Sequence, residues 1–387
     1  MKILHVGPVN STNNVASGVN QSIRGSITAQ AAIGIEVGLL SSSPTSSGIS
    51  KEELPGVCLI GGCNRRHYNP WFVSRKWIEQ IRKEFGVPDV VIFHSTYIPF
   101  QIALGRKCRQ LGWRYIVTPH GGMNAGAQNV KKTKRFIANT LFFRSFVKHA
   151  VAIHAKSESS ARQVQSLFAV KQVFTVPNAV DENLFSISKH LPAANLGTFA
   201  DDVDLMLGFV GRINVHHKGL DLLLEAMGII KSQSEENKIK LFMIGPFFTE
   251  GDKKYVLSTI KSLCLENVVK LCGPKFDQEK WSYFLACDVF VHTSRFEAGI
   301  PLAIIEAMAL GCPCLATPQN NMTDVVRRGV GWECQPDPES IAEAIMSIYE
   351  KRDSLKALGQ RSQELIRTQF TWRNIAEQTR DEYAKLL

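Results

Sequence analysis

The sequence predicts an α/β protein of two doubly wound domains, each a parallel sheet covered by helices. Two observations lead there. Short apolar runs of strand length alternate with helical patterns through both halves of the chain. The length, 387 residues, with 44% hydrophobic and 21% charged residues, suits two globular domains of ordinary size.

In the first half the strand candidates are KILHVG, IEVGLL, DVVIFH, YIVTPH and AVAIHA; in the second they are LMLGFVG, IKLFMIG, VVKLCG, DVFVHTS and CPCLAT. Helical stretches such as GLDLLLEAMGIIK and DQEKWSYFLA separate the later strands. The polar, small-residue segment from Val176 to Asp204 reads as an inter-domain linker. The closing stretch carries Trp372, Ile375, Ala376, Thr379, Tyr383 and Leu386 at helical spacing, so it packs on something apolar. Two such domains would face one another across a cleft, with ligands at the carboxyl ends of strands.

MKILHVGPVN lacks the long apolar core and cleavage site of a signal peptide, and no apolar run reaches transmembrane length. Nine cysteines without a CxxC pair, including Cys312 and Cys314 in a strand-like run, read as free thiols and point to the cytoplasm. The net charge of +10 is uneven: residues 1–190 carry +14 and residues 191–387 carry −4. Such asymmetry suggests that the first half meets something anionic. Its densest basic stretch, residues 131–149, interleaves Lys131, Lys132, Lys134, Arg135, Arg144 and Lys148 with Phe136, Ile137, Leu141, Phe142, Phe143, Phe146 and Val147. That suits either an interfacial helix on anionic lipid or a core helix with a solvated basic face. Nucleic acid is not expected, because no binding module or stacking array is present.

The chemistry concentrates in FVHTSRFEAGIPLAIIEAMALG, residues 290–311. A strand runs through an acidic loop into an almost wholly apolar helix, with Pro301 suited to its first turn and Gly311 to its stop. Glu306 is the single charge in that helix, so it needs a polar ligand or a buried donor. Glu297 lies on the loop before it, and the backbone at Gly299 and Ile300 precedes a helix start suited to an anion. Upstream, in GFVGRINVHHKG, Arg212 follows a strand and Lys218 stands near a helix start. Two cations placed so would hold a diphosphate, or else form a solvated surface pair. His216 and His217 lack ligand-spaced partners and read as surface residues rather than a metal site. His120 ends YIVTPH ahead of Gly121 and Gly122, well placed to touch a substrate; His94 sits similarly without glycine neighbours. Gly18 follows the first strand and a polar loop, but GxGxxG is absent.

Together these residues resemble the retaining glycosyltransferases of the GT-B fold, with two Rossmann-like domains, specifically family 4. The resemblance runs from MKILHV and Gly18-Val19 through TPHGG, VPNAVD, FVGRINVHHKG, KLFMIG and VKLCGP to the block ending at Gly311 and the closing helix. In that family the closing helix crosses back to the first domain. This sets the expected domains at 1–190 with 372–387, and 191–371. By position, the resemblance gives Arg212 and Lys218 the donor diphosphate, Glu306 the ribose hydroxyls, and Glu297 the transferred sugar. His120 would reach that sugar's hydroxyls from the other domain. Gly299 and Ile300 would offer backbone N–H groups to donor oxygens, Gly18 would let the first-domain loop approach the phosphate, and the base would lie near Gly273 to Lys275. No metal and no cofactor beyond the nucleotide-sugar donor is implied.

Two departures stand out. The family usually spaces its acids as E-x7-E, whereas Glu297 and Glu306 form E-x8-E, with the extra residue among Ala298, Gly299 and Ile300. A bulge at Gly299 is expected to absorb it. In VPNAVD, Ala179 stands where the family commonly has Gly, which costs little unless that backbone needs a positive φ. The implied function is transfer of a hexosyl unit, with retention, from a nucleotide diphosphate sugar to a hydroxyl of a glycan. The acceptor is expected to be lipid-linked and presented at the inner face of the plasma membrane, in bacterial surface polysaccharide or lipopolysaccharide synthesis. The alternatives are a nucleotide-sugar epimerase on the same fold and a non-catalytic glycan- or membrane-binding protein.

Overall fold

The computed structural model describes residues 1–10, 17–42, 49–60, 70–129, 132–187, 189–233 and 238–387. They form two compact units, Met1–Ala179 with Trp372–Leu387, and Val180–Thr371.

Unit 1 holds a parallel sheet of seven strands: β1 (Lys2–Gly7), β2 (Glu36–Ser41), β3 (Val57–Leu59), β4 (Val90–His94), β5 (Arg114–Thr118), β6 (Ala152–Ala155) and β7 (Val173–Thr175). Their order is β3-β2-β1-β4-β5-β6-β7. Side chains alternate between two buried layers as the period of two requires. Leu4, Val6, Val91 and Phe93 face one layer, and Ile3, Val90 and Ile92 the other. The closing helix, Trp372–Ala384, buries Ile375, Ala376, Thr379 and Tyr383, and both Ile375 and Tyr383 belong to the second layer. It lies against the first long helix, Gly18–Ala32, where a Cβ added at Gly25 would come within 2.2 Å of the Trp372 ring.

Unit 2 holds a parallel sheet of six: β8 (Leu205–Val210), β9 (Ile239–Ile244), β10 (Val269–Leu271), β11 (Val289–His292), β12 (Cys314–Ala316) and β13 (Gly331–Glu333), in the order β10-β9-β8-β11-β12-β13. Leu205, Leu207, Leu241 and Met243 face one core, and Met206, Phe242, Ile244 and Phe290 the other. The eight described cysteines are free thiols; Cys312 and Cys314 are both buried, with Cys314 opening β12.

In each sheet the first strand has neighbours that continue in opposite directions, so the strand order reverses between β1 and β4, and between β8 and β11. Open α/β sheets leave a crevice at the strand ends there.

Three details differ from the sequence expectation. The units part at Ala179/Val180 rather than at 190/191. Val180 donates its N–H to the Phe370 carbonyl at 2.9 Å and bridges to Thr371, which ties it to unit 2. The expected linker is not a free strand of chain either. Its short helix, Asn183–Ile187, buries Leu184 and Phe185 in a unit 2 core. Pro301 caps the helix Leu302–Ala309 from outside instead of occupying its first turn. Ala179 has no positive φ, so it replaces glycine there without strain.

Candidate active site

The reversal point of unit 2 gathers the residues after β8 and β11. Arg212 stands two residues beyond β8, exposed, with its guanidinium 5.3 Å from the Phe248 ring. No ion pair to Arg212 occurs among the described residues. Lys218 does not open the long helix, as the sequence suggested. It ends a single turn, Val215–Lys218, which Asn214 caps by accepting from the His217 N–H at 3.0 Å. Gly219 then reverses the chain at φ +61 before the helix Leu220–Gln233. A Cβ there would lie 2.2 Å from the Thr293 carbonyl oxygen, so this approach demands glycine.

The loop after β11 is fastened to this turn at several points. Thr293 Oγ1 donates to the carbonyls of Lys218 and Gly219, each at 3.0 Å. Arg295 forks onto Asp221 at 2.8 and 2.7 Å and donates its N–H to the His217 carbonyl. The His217 ring stacks on Phe296 with centroids 4.2 Å apart. The result is a close contact between Lys218 Nζ and Glu297 Oε1 at 2.5 Å, with the side chains 14% and 15% exposed. Ser294 Oγ donates to the same carboxylate at 2.9 Å. Burial alone would raise the Glu297 pKa; the Lys218 ammonium, then His292 and His217, more than offset it and hold the carboxyl at about 2.

The sequence reading put Arg212 and Lys218 together on one anion. The structure supplies Lys218 with an anion from the protein itself, and that anion is Glu297. Glu306, on the helix Leu302–Ala309, meets Lys280 Nζ at 2.7 Å, with the side chains 14% and 12% exposed. Of the two partners the sequence allowed, a polar ligand or a buried donor, the structure supplies a donor, Lys280, from the helix Asp277–Leu285. Gly299 and Ile300 are buried ahead of the helix. Gly299 does not have a positive φ, so the added residue is accommodated without left-handed backbone at that position. Gly245 and Gly273 turn the chain after β9 and β10 at φ +145 and +69, and their backbones join through the Gly245 N–H and the Gly273 carbonyl at 3.0 Å.

In unit 1, Gly18 starts the helix Gly18–Ala32 and is exposed, behind the Ser17 cap. His94 ends β4 and His120 follows β5. His94 Nδ1 and His120 Nε2 are 3.0 Å apart. His120 is a non-glycine residue held at φ +46, and Ser95 and Tyr97 also have positive φ. Strained backbone gathered at strand ends is characteristic of functional loops. Gly122 is required behind it, since an added Cβ would come within 2.0 Å of Thr96 Oγ1.

The basic stretch forms the helices Lys132–Ala138 and Arg144–Lys148 around a π-helical turn, Asn139–Phe143. Phe143, Phe146 and Val147 enter the core, while Phe136 (69%), Ile137 and Leu141 (59%) are exposed. Trp71 and Phe72 are exposed as well, with the Trp71 ring 5.4 Å from that of Phe142. Neither of the two sequence readings is complete: one apolar face is core and another is bare. Arg135 is not a free surface cation, since it donates to the Gly122 carbonyl at 3.0 Å and lies over the Tyr97 ring. Lys131 falls outside the described residues. Among the described residues no helix is long and apolar enough to cross a membrane, and no group of three His, Cys, Asp or Glu side chains is placed to hold a metal.

Residues 198–365 match the family described as Glycosyl transferases group 1, and residues 16–184 match Glycosyltransferase Family 4. The chain belongs to the group 1, family 4 glycosyltransferases. Mannosylfructose-phosphate synthase of Agrobacterium fabrum is 26% identical over 217 residues, 54% of this chain and 46% of that protein. Lipopolysaccharide 1,2-N-acetylglucosaminetransferase of Salmonella typhimurium is 24% identical over 221 residues, 54% of this chain and 56% of its own length. The chain thus spans about half the length of these relatives. Anabaena HepE in complex with UDP-glucose has a TM-score of 0.71 at 16% identity, over 100% of both chains. That likeness establishes the GT-B fold for this family 4 glycosyltransferase.

Proposed function

We propose that this chain transfers a hexosyl unit from a nucleotide diphosphate sugar to a hydroxyl of a glycan, with retention at the anomeric carbon. The observation that carries the reading is the Lys218–Glu297 pair at the strand-order reversal of unit 2, with Arg212, in no ion pair among the described residues, beside the same strand end. As the bond between the sugar and the diphosphate breaks, negative charge grows on the departing phosphate. Arg212 and Lys218 are the cations to receive it, Lys218 by exchanging its Glu297 partner for the phosphate. Binding a diphosphate at Lys218 frees the Glu297 carboxylate to face the transferred sugar. Glu306 accepts from the nucleotide ribose, the backbone at Gly299 and Ile300 meets donor oxygens, and Gly18 lets the first-unit loop approach phosphate. His120 accepts from a saccharide hydroxyl. Mixing the protein with UDP-, GDP- and ADP-sugars and a glycan acceptor, with products read by mass, tests this reading. A heavier acceptor supports it; an isomerised donor supports epimerisation; and binding without either product supports the non-catalytic reading.

The acceptor is proposed to be lipid-linked, in surface polysaccharide or lipopolysaccharide synthesis, with the protein peripheral at the inner face of the membrane. Support comes from the exposed Phe136, Ile137 and Leu141 beside Lys132 and Lys134, a pairing of apolar and basic groups that suits an anionic lipid surface.

A further inference from the structure

Unit 1 buries a line of imidazoles that the proposed chemistry leaves unused beyond its last member. Gln30 Oε1 lies 2.9 Å from His5 Nε2; His5 Nδ1 lies 2.9 Å from His94 Nε2; His94 Nδ1 lies 3.0 Å from His120 Nε2. His5 and His94 are stacked, with centroids 5.2 Å apart. His5 sits on β1, His94 ends β4 and His120 follows β5, so three adjacent strands hold the row in register.

A neutral imidazole has one N–H and one bare nitrogen, and a hydrogen bond needs one of each. The amide oxygen of Gln30 only accepts, and its Nε2 is directed to Ser26 Oγ at 3.1 Å. With the amide oriented this way, His5 carries its proton on Nε2. Its bare Nδ1 then requires a proton on His94 Nε2, and the bare His94 Nδ1 requires one on His120 Nε2. The last nitrogen of the row, His120 Nδ1, is left as a lone pair. No hydrogen bond joins it to any described residue.

The surroundings favour neutral rings throughout. Burial, helped by the nearby Lys156 ammonium, lowers the pKa of His5 to about 4 and of His120 to about 3; His94 is lowered by burial, and the adjoining imidazoles and Lys156 also oppose a charge on it. His154, on β6, is kept neutral by burial and by Lys156, which stands 3.3 Å from its Nε2. Lys156 itself is lowered by burial to about 7. Among the described residues no carboxylate acts on this cluster to stabilise an imidazolium.

We propose that Gln30, His5 and His94 are positioning residues that lock His120 in the Nε2–H tautomer, so that its Nδ1 lone pair is a fixed acceptor for a ligand hydroxyl. The ligand half of this rests on the reading of His120 given above; the tautomer does not. The orientation of a helical glutamine thereby determines, through two histidines, which hydrogen-bonding face unit 1 presents. A hydroxyl is the complementary group, and a phosphate or carboxylate oxygen is disfavoured there.

The test uses the full chain labelled with nitrogen-15 histidine and free of ligand, with imidazole signals assigned by His5→Asn and His120→Asn. The expected wild-type result is a bare Nδ1 and a protonated Nε2 on His120. Gln30→Met keeps the side-chain length and removes the acceptor, so His120 should then populate both tautomers. Gln30→Glu restores an acceptor at the same place and, read at alkaline pH where His5 stays neutral beside the new carboxylate, should restore the single tautomer. A protonated Nδ1 in the wild type, or one unaltered tautomer in Gln30→Met, overturns the lock. Kinetics separate the two readings. Loss of a positioned hydrogen bond should lower kcat/KM of Gln30→Met roughly 3–10-fold, with Gln30→Glu recovering. If the tautomers behave as expected and kcat/KM does not move, the lock stands and the saccharide contact of His120 is what fails.

Discussion

Replacing Lys218 with methionine removes the cation and keeps most of the side-chain volume, so it isolates the charge that Glu297 depends on. The Glu297 carboxyl is held at about 2 against an ordinary 4.5, although burial pushes the other way. At ~1.4 kcal/mol for each tenfold change in acidity, that difference is worth about 3 kcal/mol. Its sign is fixed by the direction of the shift. A carboxyl more acidic in the folded state stabilises the fold above about pH 4.5, and that contribution fades as pH falls towards 2. With both side chains about 15% exposed, solvent screens the pair little. Breaking a buried pair by removing one partner costs ~3–5 kcal/mol, because the other charge is left stranded. Lys218→Met should therefore lower stability at pH 7 by about 3 kcal/mol, read from urea midpoints. Lys218→Met/Glu297→Gln should recover most of it, because no buried charge remains unpaired. A single variant as stable as the wild type, or a double variant no better than the single, would refute the argument that these two charges compensate one another.

Other outcomes rest on the same geometry. Arg212→Ala should lower turnover roughly 10²–10³-fold, the scale for one preorganised charge-stabilising group, while its urea midpoint stays near wild type because the side chain is exposed. Glu306→Gln should raise donor KM by a factor equivalent to ~1.5–3 kcal/mol, measured as the concentration dependence of initial rate. Turnover should persist in excess EDTA, since the proposed leaving-group charge falls on arginine and lysine; complete loss restored by Mg²⁺ or Mn²⁺ would count against that assignment. Sedimentation with anionic vesicles should weaken with salt and with Lys132→Gln/Lys134→Gln, and should fall further with Phe136→Ser/Leu141→Ser. Arg135 is left intact in that series because its contact with the Gly122 carbonyl would confound lipid binding with the His120 loop.

All ten strands read from the sequence are present. The missed ones, β3, β7 and β13, are each three residues long and lie at sheet edges. An edge strand is bonded on one side only, so its partner rather than its own apolar run specifies it, and VCL, VFT or GWE gives too little pattern to read. The demand of Glu306 for a partner was legible because an acid in an apolar helix must be compensated. That the partner would be Lys280, 26 residues away on another helix, was not, because the helices meet only in three dimensions. Likewise His5 and Gln30 looked like ordinary strand and helix residues. Their connection to His120 depends on β1, β4 and β5 lying side by side, which is a property of strand order and not of local sequence. Gly219 could have been found: a glycine directly after the HHK run is the signal for a left-handed reversal between two helices.

The spacing of Glu297 and Glu306 looked like a problem of counting, and the structure turns it into a problem of anchoring. Glu297 is placed by the residues on its N-terminal side. β11 delivers Thr293 to the carbonyls of Lys218 and Gly219, Arg295 to Asp221, and Phe296 to the face of His217. Glu306 is placed by its own helix, whose start is fixed by Pro301 and whose acid is held by Lys280. The two carboxylates therefore belong to different frames, and Ala298, Gly299 and Ile300 form the joint between them. A residue added in that joint need not move either acid, because each is fastened on its own side. The spacing between them is thus weakly constrained, whereas the spacing from β11 to Glu297 and from Pro301 to Glu306 is strongly constrained. An insertion before Glu297 would move its carboxylate off Lys218 and separate two buried charges, a far greater cost than one more residue beyond it.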